Sequence, residues 1–239
     1  MILAIKNAIS QEVGSPPATA GPGTGGPDSR DPESGIADRI VRRSLAKREE
    51  EYADEVRRLL DAALEGMRKC GTSSRPRVAD IVAAAGLSNE AFYRHFRSKD
   101  ALVNALLEDG AERLRSYLIH QLDKERTPEG KVRRWVAGVL SQADGDVAAT
   151  TLAVLWNGGS AAGGLAAGRH FANSPLASLL EEPFAALGSD TPDLDAALAA
   201  HATLGTLSDL LWRRVKPTRA DVDRVTGFCV RAVAPSSGR

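Results

Sequence analysis

The sequence predicts an all-α protein, and three observations carry that prediction. Apolar residues recur at helical spacing from Ile40 to the end, no stretch alternates with the period of a strand, and Ser, Thr, Pro and Gly punctuate the chain where helices start and stop. No fixed-length repeat is present.

Residues 14 to 35, "GSPPATAGPGTGGPDSRDPESG", hold six glycines and five prolines in 22 positions. With no apolar periodicity they read as part of a disordered tail over 1–38. Either the tail is length alone, or the start codon lies upstream of the natural one. The opening "MILAIKNAIS" has an apolar run too short for a signal peptide.

The first helix is carried by Tyr52, Val56, Leu59, Leu60, Ala63, Leu64 and Met67, and stops near Cys70-Gly71. "SSRPRVADIVAAAG" then gives Ser and Pro start signals, an Ala-rich run and a terminating glycine at 86. Ser88 and Ser98 stand where N-caps belong, the second opening a long linking helix at 98. "TPEGKVRRWVAGVLSQA", "DGDVAATTLAVLWNGG", the short "SPLASLLEEPFAALG" broken by Pro183, "DLDAALAAHATLGTLSDLLWRRV" and "TRADVDRVTGFCVRAVA" complete the helical set.

Helix, glycine turn and helix in quick succession fit a helix-turn-helix, whose second helix enters the DNA major groove. Ile81, Ala84, Leu87, Phe92 and Phe96 are then its core, and Ser88, Asn89, Glu90, Tyr93 and Arg94 its outer face. Tyr93 cannot share the side of Phe92, since neighbouring helical residues point about 100° apart. Charge agrees: residues 39–100 carry 14 basic and 10 acidic side chains against 15 and 16 in residues 101–239, within a chain of zero net charge.

"VADIVAAAGLSNEAFYRHFRSKDALVNALLEDG" resembles the DNA-binding segment of the tetracycline-repressor (TetR) family in its turn, its aromatic-His-Phe group and its Ser-Lys-Asp restart. The resemblance covers roughly residues 50–110. It implies a three-helix DNA-binding domain at 39–110 and a helical ligand-binding and dimerisation domain at 111–239. It also implies a cytoplasmic homodimeric regulator, expected to be a repressor that a small apolar or amphipathic ligand releases from a palindromic operator. The alternative is a DNA-binding dimer without an inducer, its C-terminal domain used for assembly or a protein partner.

By the resemblance, Tyr93, His95, Lys99 and Arg77 touch or support DNA phosphates, with Ser88 beside them. Helix N-termini and cationic side chains suit that task. Base reading falls to Asn89, Glu90 and Arg94, whose groups match adenine, cytosine N4 and guanine. Glu90 departs from the family's usual small or basic residue; it either reads a base or stabilises its own helix N-terminus. Arg39, Arg42, Arg43, Lys47 and Arg48 precede the first helix. They read as a solvated helical extension paired with Glu49 to Glu51, adding some nonspecific DNA affinity.

For a ligand pocket the candidates are Trp135, Leu155, Trp156, Arg169, His170 and Phe171, against a competing reading of each as core. In the last two helices Leu204, Leu207 and Leu211, and Val222, Val225, Cys229 and Ala232, form stripes compatible with core or with the dimer that the resemblance implies.

Enzyme chemistry finds no support. "NGGSAAGG" (157–164) misses the hydrolase Gly-x-Ser-x-Gly at Ala162 and the Gly-Lys-Ser/Thr of a phosphate loop. The four histidines, His95, His120, His170 and His201, have no metal-ligand spacing, so neither metal nor cofactor is expected. Cys70 and Cys229 read as buried, reduced thiols of a cytoplasmic protein.

Overall fold

Ser88, Ser98 and Thr127 each turn a side-chain oxygen back onto the chain, accepting the N–H of Ala91, Ala101 and Gly130 at 3.1 Å. Such caps satisfy donors that a helix start leaves open and contribute about 1 kcal/mol each. They fix where three of the helices begin in this computed structural model, which describes residues 32–158 and 175–233.

The described elements are α1 (Pro32–Cys70), α2 (Val78–Ala85), α3 (Asn89–His95), α4 (Lys99–Leu122), α5 (Pro128–Leu140) and α6 (Gly145–Gly158). After them come α7 (Glu181–Ala186), α8 (Pro192–Arg213) and α9 (Arg219–Val233), with 3-10 turns at Ser141–Ala143 and Ala177–Leu180. No strand occurs among the described residues, and none of their helices is long and apolar enough to cross a membrane.

Two expectations change. The tail assigned to 1–38 gives up its last residues, because α1 already runs from Pro32. Composition obscured a start signal, Asp31-Pro32-Glu33, that places proline in a first turn where its missing N–H costs nothing. Residues 1–31 lie outside the described part. In α2 the core residues are Ile81, Val82 and Ala85, while Ala84 is exposed. The helix is turned by one residue from the sequence reading, and its alanine run offered no side chain large enough to set the angle.

Side chains gather in two clusters. In the first, Leu59, Ala63 and Met67 of α1 meet Ile81, Phe92, Phe96, Leu102, Val103 and Leu106. In the second, Leu114, Leu118 and Leu122 of α4 meet Val132, Trp135, Val139, Leu180, Phe184, Leu207, Leu211 and Cys229. Helix α4 therefore passes from one core to the other between Leu106 and Leu114. Helix α6 does the same within three residues, giving Leu152 to the second cluster and Ala153 and Val154 to the first.

Trp135 is fully enclosed, and its indole N–H donates to the Leu176 carbonyl at 2.8 Å. Gly138 lies one turn on, where an added Cβ would come within 2.5 Å of Leu118 Cδ2, so α5 rests on α4 with no room for a side chain. Cys229 is buried against Thr203, and burial pushes its thiol up to about 11, which leaves it unreactive.

Replacing Trp135 by alanine removes the largest enclosed side chain of the second core and orphans a carbonyl. Chemical denaturation should register a loss of about 3–5 kcal/mol, whereas a surface-like response near 0.5 kcal/mol would contradict the packing described.

Candidate nucleic-acid interface

The turn between α2 and α3 is built from Gly86, Leu87 and Ser88. Gly86 takes φ +64°, a left-handed conformation that ends α2, and Leu87 N–H returns to Val82 O at 2.9 Å. From α1, Arg58 reaches over and donates to the carbonyls of Ala85 and Gly86. A guanidinium at this helix C-terminus both satisfies open acceptors and opposes the helix dipole. An added Cβ on Gly86 would stand 2.9 Å from Arg58 Nη2, so side-chain bulk and capping arginine exclude each other here.

Ser88 then starts α3, and the expected two faces appear. Phe92 is wholly buried against Phe96, with ring centroids 5.8 Å apart, while Tyr93 is 58% exposed with its ring edge on Phe92. Asn89 and Glu90 are exposed in the first turn, the end of a recognition helix that meets base edges. Exposed on that end, Glu90 retains both readings, since an acid in a first turn also suits the helix dipole.

At the other end of α3 the sequence reading needs correction. The His95 side chain is fully enclosed, with Nε2 2.6 Å from Glu55 Oε2, so it does not present itself to a phosphate. An ionised carboxylate only accepts, which assigns the proton to Nε2. Tyr52 lays its ring edge-on to the imidazole at 4.2 Å. Arg94, expected to read bases, directs Nη1 to the same Glu55 oxygen at 3.3 Å, and so is drawn back toward α1, away from Asn89 and Glu90.

The remaining cations lie together. Lys99, in the first turn of α4, places Nζ 3.4 Å from the carbonyl of Pro76, the residue before Arg77. Arg77 stands at the N-cap position of α2, where Asp80 Oδ2 accepts both its backbone N–H and its Nε–H at 3.2 Å. Both guanidinium and carboxylate are largely exposed there. Glu55 and Arg58 were missed by sequence reasoning. Nothing in the amphipathic pattern of α1 marks a carboxylate whose partners come forty residues later.

The pocket candidates do not assemble in the same way. Trp135 belongs to the second core, Leu155 and Trp156 are partly exposed at the end of α6, and Arg169, His170 and Phe171 lie outside the described residues. Among the described residues no group of His, Cys, Asp and Glu is placed to hold a metal ion.

The His95 hydrogen bond, with Arg94 as a further aid, holds the Glu55 carboxyl below its ordinary 4.5. A carboxylate held low when folded adds stability that is complete above the unfolded value and fades as pH falls through the folded one. Glu55→Gln should therefore unfold more readily than the parent at pH 7, with the difference narrowing as pH drops below about 4.5. A difference that stayed constant across that range in pH-resolved denaturation would separate Glu55 from this role.

Residues 59–106, from the middle of α1 to the first turns of α4, match the family model for bacterial regulatory proteins of the tetR family. No curated protein matches the sequence. Among solved structures, one from Mesorhizobium loti described as a TetR-family transcriptional regulator aligns over 76% of this chain and 96% of its own, with TM-score 0.56 and 16% identity. Another, from Pseudomonas aeruginosa PAO1 and described as a transcriptional regulator, aligns over 74% and 87%, with TM-score 0.55 and 21% identity. At these identities the likeness is one of fold. The family match is confined to residues 59–106, the helix-turn-helix and its flanks, and the fold around it is like that of these solved structures.

Proposed function

We propose that the protein is a homodimeric transcription regulator that sets α3 into the major groove of a palindromic operator and is released as a repressor by a small apolar or amphipathic ligand. One observation carries the DNA reading: α3 buries Phe92 completely and leaves Asn89, Glu90 and Tyr93 exposed on the opposite side of a rigidly capped turn. Asn89 and Glu90 read bases. Ser88, Tyr93, Lys99 and Arg77 take phosphates, the last two side by side around Pro76. Such contacts fix register and leave sequence to the bases.

Dimerisation is supported by a different set of residues from the stripes seen in the sequence. Leu207, Leu211 and Cys229 are used up in the protomer's own core, and Leu204, Val222 and Val225 pack against it. The apolar residues left outside are Leu194, Leu198 and Trp212 on α8 and Phe228 on α9, each more than half exposed. Uncovered apolar side chains on adjacent helices fit a two-fold partner that spaces two recognition helices about 34 Å apart.

The ligand part rests on Leu155 and Trp156 at the end of α6, the helix that joins the two cores. A second reading, in which the C-terminal half serves assembly or a protein partner without an inducer, is favoured by Trp135, which fills its core.

Lys99→Ala should weaken binding to all duplexes alike and lower the slope of log K against log salt by about one unit; a changed base preference at equal affinity would remove the phosphate role. Glu90→Ala should relax preference at one base pair in a randomised-site selection, at about 1–3 kcal/mol of lost discrimination. Leu198→Glu with Phe228→Glu should sediment as a monomer and lose operator binding, and a dimer of undiminished strength would place the interface elsewhere. For the ligand, a panel of fatty acids and aromatic amphiphiles should contain a member that adds about 2.7 kcal/mol of stability at a hundredfold excess over Kd and frees the operator. A panel without response supports the inducer-free reading.

A further inference from the structure

The N-terminal part of α1 has no counterpart in the site described so far. Gly35, Ile36 and every residue from Asp38 to Glu51 are exposed, so this part of the helix extends beyond Tyr52, where α1 meets α3. Residues 39–48 carry Arg39, Arg42, Arg43, Lys47 and Arg48 and no acid. The first four are spaced i, i+3, i+4 and i+8, which puts them on one face over about 12 Å of helix.

In a free helix that spacing is unfavourable. Like charges three and four residues apart cost a few tenths of a kcal/mol per pair, and Ile36, Ile40, Val41 and Leu45 stand in water beside them, each more than half exposed. Among the described residues, Lys47 alone of these cations has an ion partner, Glu51 at 3.7 Å, and both groups are open to solvent. An external polyanion removes the repulsion. B-DNA offers one charge per about 3.4 Å of axis on each strand, so a stripe of about 12 Å laid along one strand meets about three or four phosphate charges.

The position of the root decides which DNA this is. Tyr52 and Glu55 hold the C-terminal end of α3, and Arg39 stands about 20 Å further along the same helix. Between them α1 reverses sign with Glu49, Glu50, Glu51, Asp54 and Glu55, of which Glu51, Asp54 and Glu55 are ion-paired. This acidic collar repels phosphate, so the basic stripe and α3 cannot follow one continuous path on the duplex.

We infer that residues 39–47 of α1 form a second, sequence-independent DNA contact, an arm that grips phosphates flanking the half-site read by α3. The inference rests on the operator-binding reading above. It makes the binding site longer than the recognised sequence on both outer sides of a two-fold complex, and makes affinity more salt-dependent than the helix-turn-helix alone would.

The test compares the full-length parent with a variant carrying Arg39→Gln, Arg42→Gln, Arg43→Gln and Lys47→Gln, on the operator found by randomised-site selection. Glutamine keeps helix propensity, and these side chains pack on nothing, so unfolding midpoints should agree. The variant should select the same sequence, show a salt slope shallower by about 3–4 units per protomer, and lose protection at the outer edges of a hydroxyl-radical footprint. A companion carrying Arg39→Lys, Arg42→Lys and Arg43→Lys should behave as the parent, since charge is what matters. Unchanged slope and footprint on a well-selected operator would overturn the arm alone. So would a variant that loses only self-association in sedimentation, or only binding to anionic phospholipid vesicles. If the parent selects no site at all, the regulator reading falls and the arm with it.

Discussion

The Glu55 carboxylate is the point at which α1 holds the reading helix. α3 has only seven residues, too few to keep its own direction, and its inner face offers Phe92 and Ala91 alone as fully buried anchors. A short helix fixed at two apolar points can still swivel. Glu55 removes that freedom by accepting hydrogen bonds from His95 Nε2 and Arg94 Nη1 at the opposite end from Asn89. For the proposed base reading, where positions must hold to about half an ångström, the buried imidazole clamped at one end of α3 sets what the exposed Asn89 at the other can reach.

The same economy of anchoring extends into the second core. Helix α6 contributes Ala153 and Val154 beneath the DNA-binding helices and Leu152 to the cluster around Trp135. At its end the Trp156 carbonyl accepts from Arg75, in the segment leading to α2, and the Trp156 ring meets Trp212 of α8 edge-on at 5.7 Å. A displacement of α6 cannot therefore be confined to one half of the molecule. Close-packed interiors transmit such shifts, since the side chains have nowhere else to go. This supplies the physical route for the proposed release by ligand, whatever chemistry starts it.

How far the sequence led depended on whether a signal was local. Caps, glycine stops and apolar periodicity are short-range, and Ser88, Ser98, Thr127 and Gly86 stand where they were placed. The division of Phe92 from Tyr93 followed from 100° per residue and holds. Failures came where an alanine run gave no facial contrast, as with Ala84 and Ala85, or where the partner lay far along the chain, as with Glu55 and His95. The stripes on the last two helices, open in the sequence between core and dimer, went to the core; periodicity shows that a face is apolar, but a helix with two apolar faces gives no sign of which one its own protomer covers. Leu198 and Leu207 look alike in sequence and differ completely in exposure.

Zero net charge conceals how this chain meets a polyanion. α1 alternates a basic stretch at 39–48 with an acidic one at 49–55, in which Glu51, Asp54 and Glu55 are held by Lys47, Arg57, Arg94 and His95. Over distances longer than the Debye length of about 8 Å at physiological salt the two stretches screen independently, so a duplex senses them as separate surfaces and never as their sum. A protein organised in this way avoids the indiscriminate adhesion of a uniformly basic surface. In the proposed complex its cations attract along lines where phosphates can approach without meeting the collar, a restriction that would orient the duplex before any base is read.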